Sequence, residues 1–192
     1  MKAAAGTVFC LSIFFASPAF ASAGNIISVA GEVFMTRDGQ IPVIVTRDTK
    51  IGGGDVVFIA NDGLLQFRLA NDAEVRLQNN SHIRIDENSI ALTRGGLRVN
   101  TRWMIFDDRA KFKIRTPVAV IGFRGTETVV NHSEGKQTTT VFTVIGSNEI
   151  ASVGDFPHLI TRPNDTAQVV RGQAPTIVPS SYNISPSIPV PK

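Results

Sequence analysis

The chain has 192 residues, with 19 Lys and Arg against 16 Asp and Glu, a formal net charge of +3 and a hydrophobic fraction of 43%. So small an excess of interleaved charge makes too weak a field to draw the chain to nucleic acid at long range. The single cysteine, Cys10, excludes an internal disulfide and argues against thiolate metal sites.

The first 21 residues read as an export signal. Lys2 supplies a short positive region, Ala3 to Ala16 an uncharged apolar run, and Pro18 a helix break before the Ala19-Phe20-Ala21 cleavage pattern. Cleavage is expected after Ala21, with Ala21-Ser22-Ala23 as a second possible site. The apolar run is short for a spanning helix of about 20 residues. Cys10 lies inside it and leaves with it. Removing 1–21 leaves 171 residues, 18 basic against 16 acidic, with no second apolar stretch of spanning length. The expected product is periplasmic or secreted, without stable membrane insertion, and long enough for one domain with a core.

Short strands dominate from Ile26 onward. Ile26 to Val29 and Glu32 to Met35 flank Ala30-Gly31, and Pro42 to Val45 follows. Gly52-Gly53-Gly54-Asp55 is a turn leading into Val56 to Ile59. The glycines there give wide φ freedom, but spacing and the absence of a following helix argue against a phosphate loop. An internal repeat comes next. Phe67-Arg68-Leu69, Val75-Arg76-Leu77 and Ile83-Arg84-Ile85 recur every eight residues, each followed by a polar turn. Ile90-Ala91-Leu92 and Leu97-Arg98-Val99 continue the theme. The apolar pairs share one face and the arginines the other. Glu74, Asp72 and Asp86 between those arginines make an ordinary solvated face a better reading than a basic stripe. The series fits either an antiparallel meander or the walls of a β-solenoid.

Trp103-Met104-Ile105-Phe106 stands between the repeat and the next strand. Trp103 and Phe106 either close one end of the core or offer a partner contact. Phe112 to Arg115 alternates as a half-buried strand. At Thr116-Pro117 the chain bends or reaches an edge, because Pro117 lacks a ladder donor. Val118 to Ile121 resumes the apolar pattern and Arg124-Gly125-Thr126 opens a further strand. Here Gly125 provides a residue free to take φ > 0. Arg124 is expected to satisfy carbonyls left unpaired at the bend, and Thr126 to bond locally to the backbone. The rival reading makes Arg124 an exposed partner contact. His132 to Lys136 reads as a hairpin loop. Thr138 to Ile145 and Glu149 to Val153 read as strands around Gly146-Ser147-Asn148. Thr166 to Val170 reads as a last strand, in a terminal region 154–174. From Pro175 to the end, five prolines and several serines read as a Pro/Ser-rich flexible tail.

No catalytic constellation emerges, so no catalytic, cofactor-binding or metal-binding residue is assigned. His82, His132 and His158 are far apart and lack metal-ligand spacing. Ser81-His82 neighbours point to opposite strand faces, and Ser133 with His132 does likewise. Asp107-Asp108 reads as a turn cap.

The ordered series of motifs resembles the FecR-domain family over roughly residues 25–153. The residues that carry the resemblance are Gly31-Glu32-Val33, the Gly54-Asp55 turn, and Leu92 through Leu97 around Gly95. The most specific section is Thr116-Pro117-Val118-Ala119 with Arg124-Gly125-Thr126. Asn71-Asp72-Ala73 stands where the family usually has Asp-Gly-Ser, and Ser147-Asn148-Glu149 also differs. The resemblance implies a single all-β, solenoid-like (β-helix-like) domain acting outside the cytoplasm. In this reading Gly54, Asp55, Thr116, Pro117, Arg124, Gly125 and Thr126 are structural motif residues. Some family members are transmembrane regulators of an iron-uptake sigma factor. No cytoplasmic domain or retained membrane helix is read here, so that role is not carried over. The expected function is a non-catalytic, exported module that binds another envelope protein or a ligand. Alternatives are a surface-assembly component and a signalling accessory acting through a partner.

Overall fold

The computed structural model describes residues 22–37, 39–86, 88–104 and 112–180. The signal segment 1–21, Phe106, Asp107-Asp108 and the tail beyond Ser180 lie outside them. Among the described residues all regular structure is β. The strands are β1 (Ser22–Ala30), β2 (Val33–Thr36), β3 (Val43–Ile44), β4 (Lys50–Gly52) and β5 (Val56–Ile59). Next come β6 (Leu64–Leu69), β7 (Glu74–Leu77), β8 (His82–Ile85), β9 (Ser89–Asn100) and β10 (Lys113–Arg115). The chain ends in β11 (Ala119–Ser133), β12 (Thr138–Ser152), β13 (Leu159–Thr161), β14 (Thr166–Val170) and β15 (Thr176–Val178).

The repeat forms strands because its apolar residues recur with period two. Phe67, Leu69, Val75, Leu77, Ile83 and Ile85 are all buried in one core cluster, while Arg68 and Arg84 are exposed. The outer face is mixed in charge. Arg68 pairs with Glu74 at 3.6 Å and Arg84 with Asp86 at 3.0 Å.

Hydrogen bonding joins all 15 strands into one sheet with two arms. One arm runs β3-β2-β5-β8, the first half of β9, β10, the first half of β11, the second half of β12, and β13. The other runs β4-β1-β6-β7, the second halves of β9 and β11, the first half of β12, β14 and β15. The apolar faces of both arms meet in one cluster that includes Ile83 and Ile114 from the first and Phe67 and Val141 from the second.

The eight-residue repeats therefore do not stack as successive solenoid walls. β6 and β7 form an antiparallel hairpin in one arm, while β8 crosses to the other arm and pairs with β5 and β9. Apart from β9–β10, every pairing is antiparallel. The segments around Gly95 and Gly146 are bends inside long strands, not turns between short ones. Each carries positive φ, 85° at Gly95 and 80° at Gly146, where a side chain is strained. After β14, which is paired with β12, the chain adds β15 before Ser180, so Thr176 to Val178 belongs to the sheet.

Leu77 is fully buried beneath both β6 and β9. Leu77→Ala is expected to cost about 2–5 kcal/mol, through lost transfer energy and the cavity left behind. Urea unfolding of the variant beside the parent measures it.

Candidate functional site

Asp55 follows Gly54 (φ 88°) in the β4–β5 turn and is fully buried. Its carboxylate accepts the Gly52 N–H at 2.6 Å, Arg37 Nε at 2.6 Å and Arg37 Nη2 at 2.7 Å. The two guanidinium bonds make the bidentate geometry that offsets the desolvation of a buried carboxylate. Main-chain bonds from Gly54 N–H to Ile85 C=O (2.7 Å) and from Ile85 N–H to Asp55 C=O (2.9 Å) tie the same turn to β8. The Gly-Asp turn is thus a clasp between β2, β4, β5 and β8. Arg37, the partner 18 residues away, carries no sequence signal of that role.

Thr116 is buried and Pro117 exposed at the β10–β11 turn. Thr116 Oγ1 accepts the N–H groups of Ala119 (2.9 Å) and Val118 (3.3 Å), and shares a hydrogen bond with Thr139 Oγ1 at 2.8 Å. Thr139 Oγ1 also lies 3.0 Å from His132 Nδ1. A hydroxyl–hydroxyl–imidazole chain therefore runs under the turn. Deeper in β12, Thr128 Oγ1 donates to Asn148 Oδ1 (2.9 Å) and Asn148 Nδ2 donates to Thr143 Oγ1 (2.7 Å). Thr143 Oγ1 in turn bonds Thr161 Oγ1 (2.7 Å). All four are buried. In the sequence Thr138 to Ile145 reads only as a strand, and nothing there signals this network.

Gly125 takes φ 64°, and the β11–β12 register shifts between Arg124 and Glu127. Thr126 is buried. Its N–H donates to Thr101 Oγ1 at 3.0 Å, and Thr101 N–H donates to Thr126 C=O at 2.9 Å. Arg124 behaves differently from the expectation. It is exposed, and its guanidinium satisfies no carbonyl among the described residues. The bend's main chain is bonded by Thr101 instead, which leaves the arginine facing solvent.

Trp103 lies two residues beyond that Thr101 clasp. It is 67% exposed, whereas Met104 next to it is buried. The Arg102 guanidinium sits 5.8 Å from the Trp103 ring centroid, within cation–π range. Phe106, the other aromatic of this segment, lies outside the described residues. The sequence thus carries an exposed Trp-Arg pair on one side of the clasp and the exposed Arg124 on the other.

The three histidines stay apart. His82 Nδ1 bonds Thr93 Oγ1 at 2.8 Å, and His158 Nδ1 bonds Glu149 Oε1 at 2.7 Å. Ser81 Oγ turns to the main chain of Gly96, not to His82. No cluster of three metal-ligating acidic, His or Cys side chains occurs among the described residues. Burial holds the His132 imidazole below its usual pKa, with Glu134 pulling it up and Arg171 pushing it down. Burial is also the first cause of the lowered His82 pKa, followed by Arg94, with Glu134 opposing.

Two outcomes follow. Thr116→Ala is expected to cost about 1–3 kcal/mol, because it strands the Ala119 N–H and the Thr139 hydroxyl. Arg124→Lys is expected to leave stability within about 0.5 kcal/mol of the parent. Thermal unfolding of the two variants side by side measures both. For the histidines, the unfolded chain protonates near 6.5 and the folded chain lower. The unfolded state then binds more protons, so stability is full above that value and falls as pH drops through it. His132→Asn should flatten the decline seen in urea midpoints between about pH 7 and 5.

Residues 55–145 match the family described as FecR protein. Comparison with curated proteins gives no match. Two crystal structures of a candidate anti-sigma factor from Parabacteroides distasonis ATCC 8503, at 1.65 and 2.50 Å resolution, are similar in fold. Their TM-scores are 0.52 and 0.53 at 16% identity, over 64% of this chain. The chain spans 57% of the length of those chains. At that identity the likeness concerns the fold alone. The Gly54-Asp55 clasp begins the matched stretch, and the Thr116 turn and the Arg124-Gly125-Thr126 bend lie inside it. The chain carries a FecR domain over residues 55–145.

Proposed function

We propose that this protein is an exported, non-catalytic binding module of envelope signalling that engages a partner protein through Trp103, Arg102 and Arg124. The observation that carries the reading is the exposure of Trp103 two residues from the hydrogen-bonded Thr101–Thr126 clasp. Large aromatics are usually buried. Tryptophan and arginine are the residues most enriched where binding energy concentrates. Trp103 and Arg124 each lie two residues from the mutually bonded Thr101 and Thr126. The FecR match and the anti-sigma-factor fold support a signalling context. No helix among the described residues is long and apolar enough to cross a membrane. Export rests on the 1–21 pattern. Cleavage after Ala21 would leave β1, which starts at Ser22, whole.

A second reading, surface assembly, has one feature in its favour. β3 is an edge strand whose Val43 and Ile44 are exposed, the kind of edge that pairs with other chains. A photo-crosslinker placed at position 103, 44 or 76 in the native envelope separates the readings. The expected result is a discrete product with a different protein from position 103 only, lost in Arg102→Ala with Arg124→Ala. Absence of that product overturns the partner reading, and self-products from position 44 support assembly.

A further inference from the structure

The end of β11 buries a titratable group that the fold satisfies on one side only. His132 is 3% exposed, and its Nε2 is buried without a hydrogen-bond partner. Its Nδ1 lies 3.0 Å from Thr139 Oγ1, which lies 2.8 Å from Thr116 Oγ1. His132 and Thr139 belong to the second arm of the sheet, Thr116 to the β10–β11 turn of the first. All three are buried. The relay is therefore a polar join between the arms, sealed from solvent.

Counting hydrogens gives the relay a direction. A hydroxyl has one hydrogen and two lone pairs. The N–H groups of Ala119 and Val118 point at Thr116 Oγ1, at 2.9 and 3.3 Å. They occupy its lone pairs, so Thr116 meets Thr139 as the donor. The other acceptor beside that hydroxyl, the Ala119 carbonyl, is 3.4 Å away and already takes the Thr116 N–H at 2.8 Å. An O–H bond of 3.4 Å is too long to compete with one of 2.8 Å. Thr139 accepts from Thr116 and keeps its own hydrogen to give. Its remaining partner is His132 Nδ1. Nδ1 is then bare, and the neutral imidazole carries its hydrogen on Nε2.

A proton on Nδ1 reverses this order. Thr139 loses its acceptor. If the new Nδ1–H donates to Thr139, the Thr139 hydrogen has only Thr116 Oγ1 to turn to, and the turn's N–H groups fill that oxygen. The buried Nε2–H gains nothing in exchange, and the interior acquires a cation. Burial opposes the imidazolium most, holding the pKa below the usual 6.5. Glu134 in the β11–β12 loop favours the charge, Arg171 after β14 opposes it, and the Thr138 main chain favours it. The other faces bring no titratable side chain into the core. β9 sets Gly95 opposite His132, with Arg94 exposed beside it. β12 sets Thr139 opposite, and β14 sets Val169 next to Thr139. Lys136 of the loop is exposed. His82 bonds Thr93, outside the relay. We infer that His132 is an acid-operated latch: a proton on Nδ1 reverses the Thr139–Thr116 relay and loosens the Val118 and Ala119 bonds that shape the Thr116-Pro117 turn, weakening the join between the two arms.

Nuclear magnetic resonance of the full mature chain tests this. Long-range proton–nitrogen spectra of the imidazoles read the tautomer, and amide spectra from about pH 8 to about pH 5 read the turn across the histidine range. Neutral His132 is expected to carry its hydrogen on Nε2. The Val118 and Ala119 amide resonances are expected to shift with the midpoint of the His132 ring, which is resolved from that of His82. Thr139→Val keeps the β-branched shape and removes the relay, so the amide response should vanish while the His132 ring still titrates. Thr139→Ser should restore it. If Thr139→Val does not fold, the tautomer and the amide titration of the parent decide alone. Three outcomes overturn the inference. They are a neutral His132 protonated on Nδ1, Val118 and Ala119 amides that do not move with the His132 midpoint anywhere in the range, and an amide response that survives in Thr139→Val.

Discussion

The architecture depends on three strands that must serve both arms of one sheet. β9, β11 and β12 run for 12, 15 and 15 residues, and each turns within its length at a glycine of positive φ, Gly95, Gly125 and Gly146. An L-residue there would cost about 1–2 kcal/mol in backbone strain alone. At two of them there is also no room. Ser81 crowds the Cβ position of Gly95, and the Gly125 carbonyl, 2.6 Å away, crowds that of Gly146. Gly125 and Gly146 thus lie against each other at one corner, and Gly95 makes the other. The Thr101–Thr126 clasp lies at the first corner, and the Asn131 and Gln78 side chains crowd Gly96 beside the second.

The interior of the longer strands is unusual in its polarity. Thr128, Asn148, Thr143 and Thr161 are buried and hydrogen-bonded to one another, as are Thr116, Thr139 and His132. Threonine keeps the β-branched shape of valine, so it packs on a pleated surface. Its hydroxyl then demands a partner. Asn148 uses both ends of its carboxamide, one toward β11 and one within β12. A one-residue slip of β12 would turn these groups to the other face and leave them unsatisfied in the core. The network therefore specifies register where an all-apolar strand pair of 15 residues would tolerate sliding.

The motif residues divide by what their side chains can reach. Asp55 and Thr116 are buried and their side chains bond the main chain at turns, whereas buried Thr126 has its own main chain bonded by Thr101 at the bend. Arg124 belongs to the same motif, yet it projects outward, because the alternation that buries Phe123 on one face sends its neighbour to the other. A motif can thus hold a fold with most of its residues and leave one of them facing solvent. The proximity in sequence of Arg124 to Thr126, and of Trp103 to Thr101, places both exposed side chains near the Thr101–Thr126 clasp.

By itself the sequence determined the local elements and their inward faces. Phe67, Leu69, Val75, Leu77, Ile83 and Ile85 are legible as one core face, because period-two alternation depends on nearest neighbours alone. The interleaved acids at 74 and 86 likewise show that the arginines do not form a basic stripe. Pairing partners were not legible. Whether β8 stacks on β7 or crosses to β5 depends on closing long loops and on competing ladders, which no eight-residue period records. For the same reason a solenoid and a two-armed sheet read alike. The Arg37–Asp55 pair, the threonine network and the packing of Asn131 and Gln78 over Gly96 join residues distant in the chain. Only the tertiary structure brought them together, since each depends on which strand edges meet across the bends at Gly95, Gly125 and Gly146.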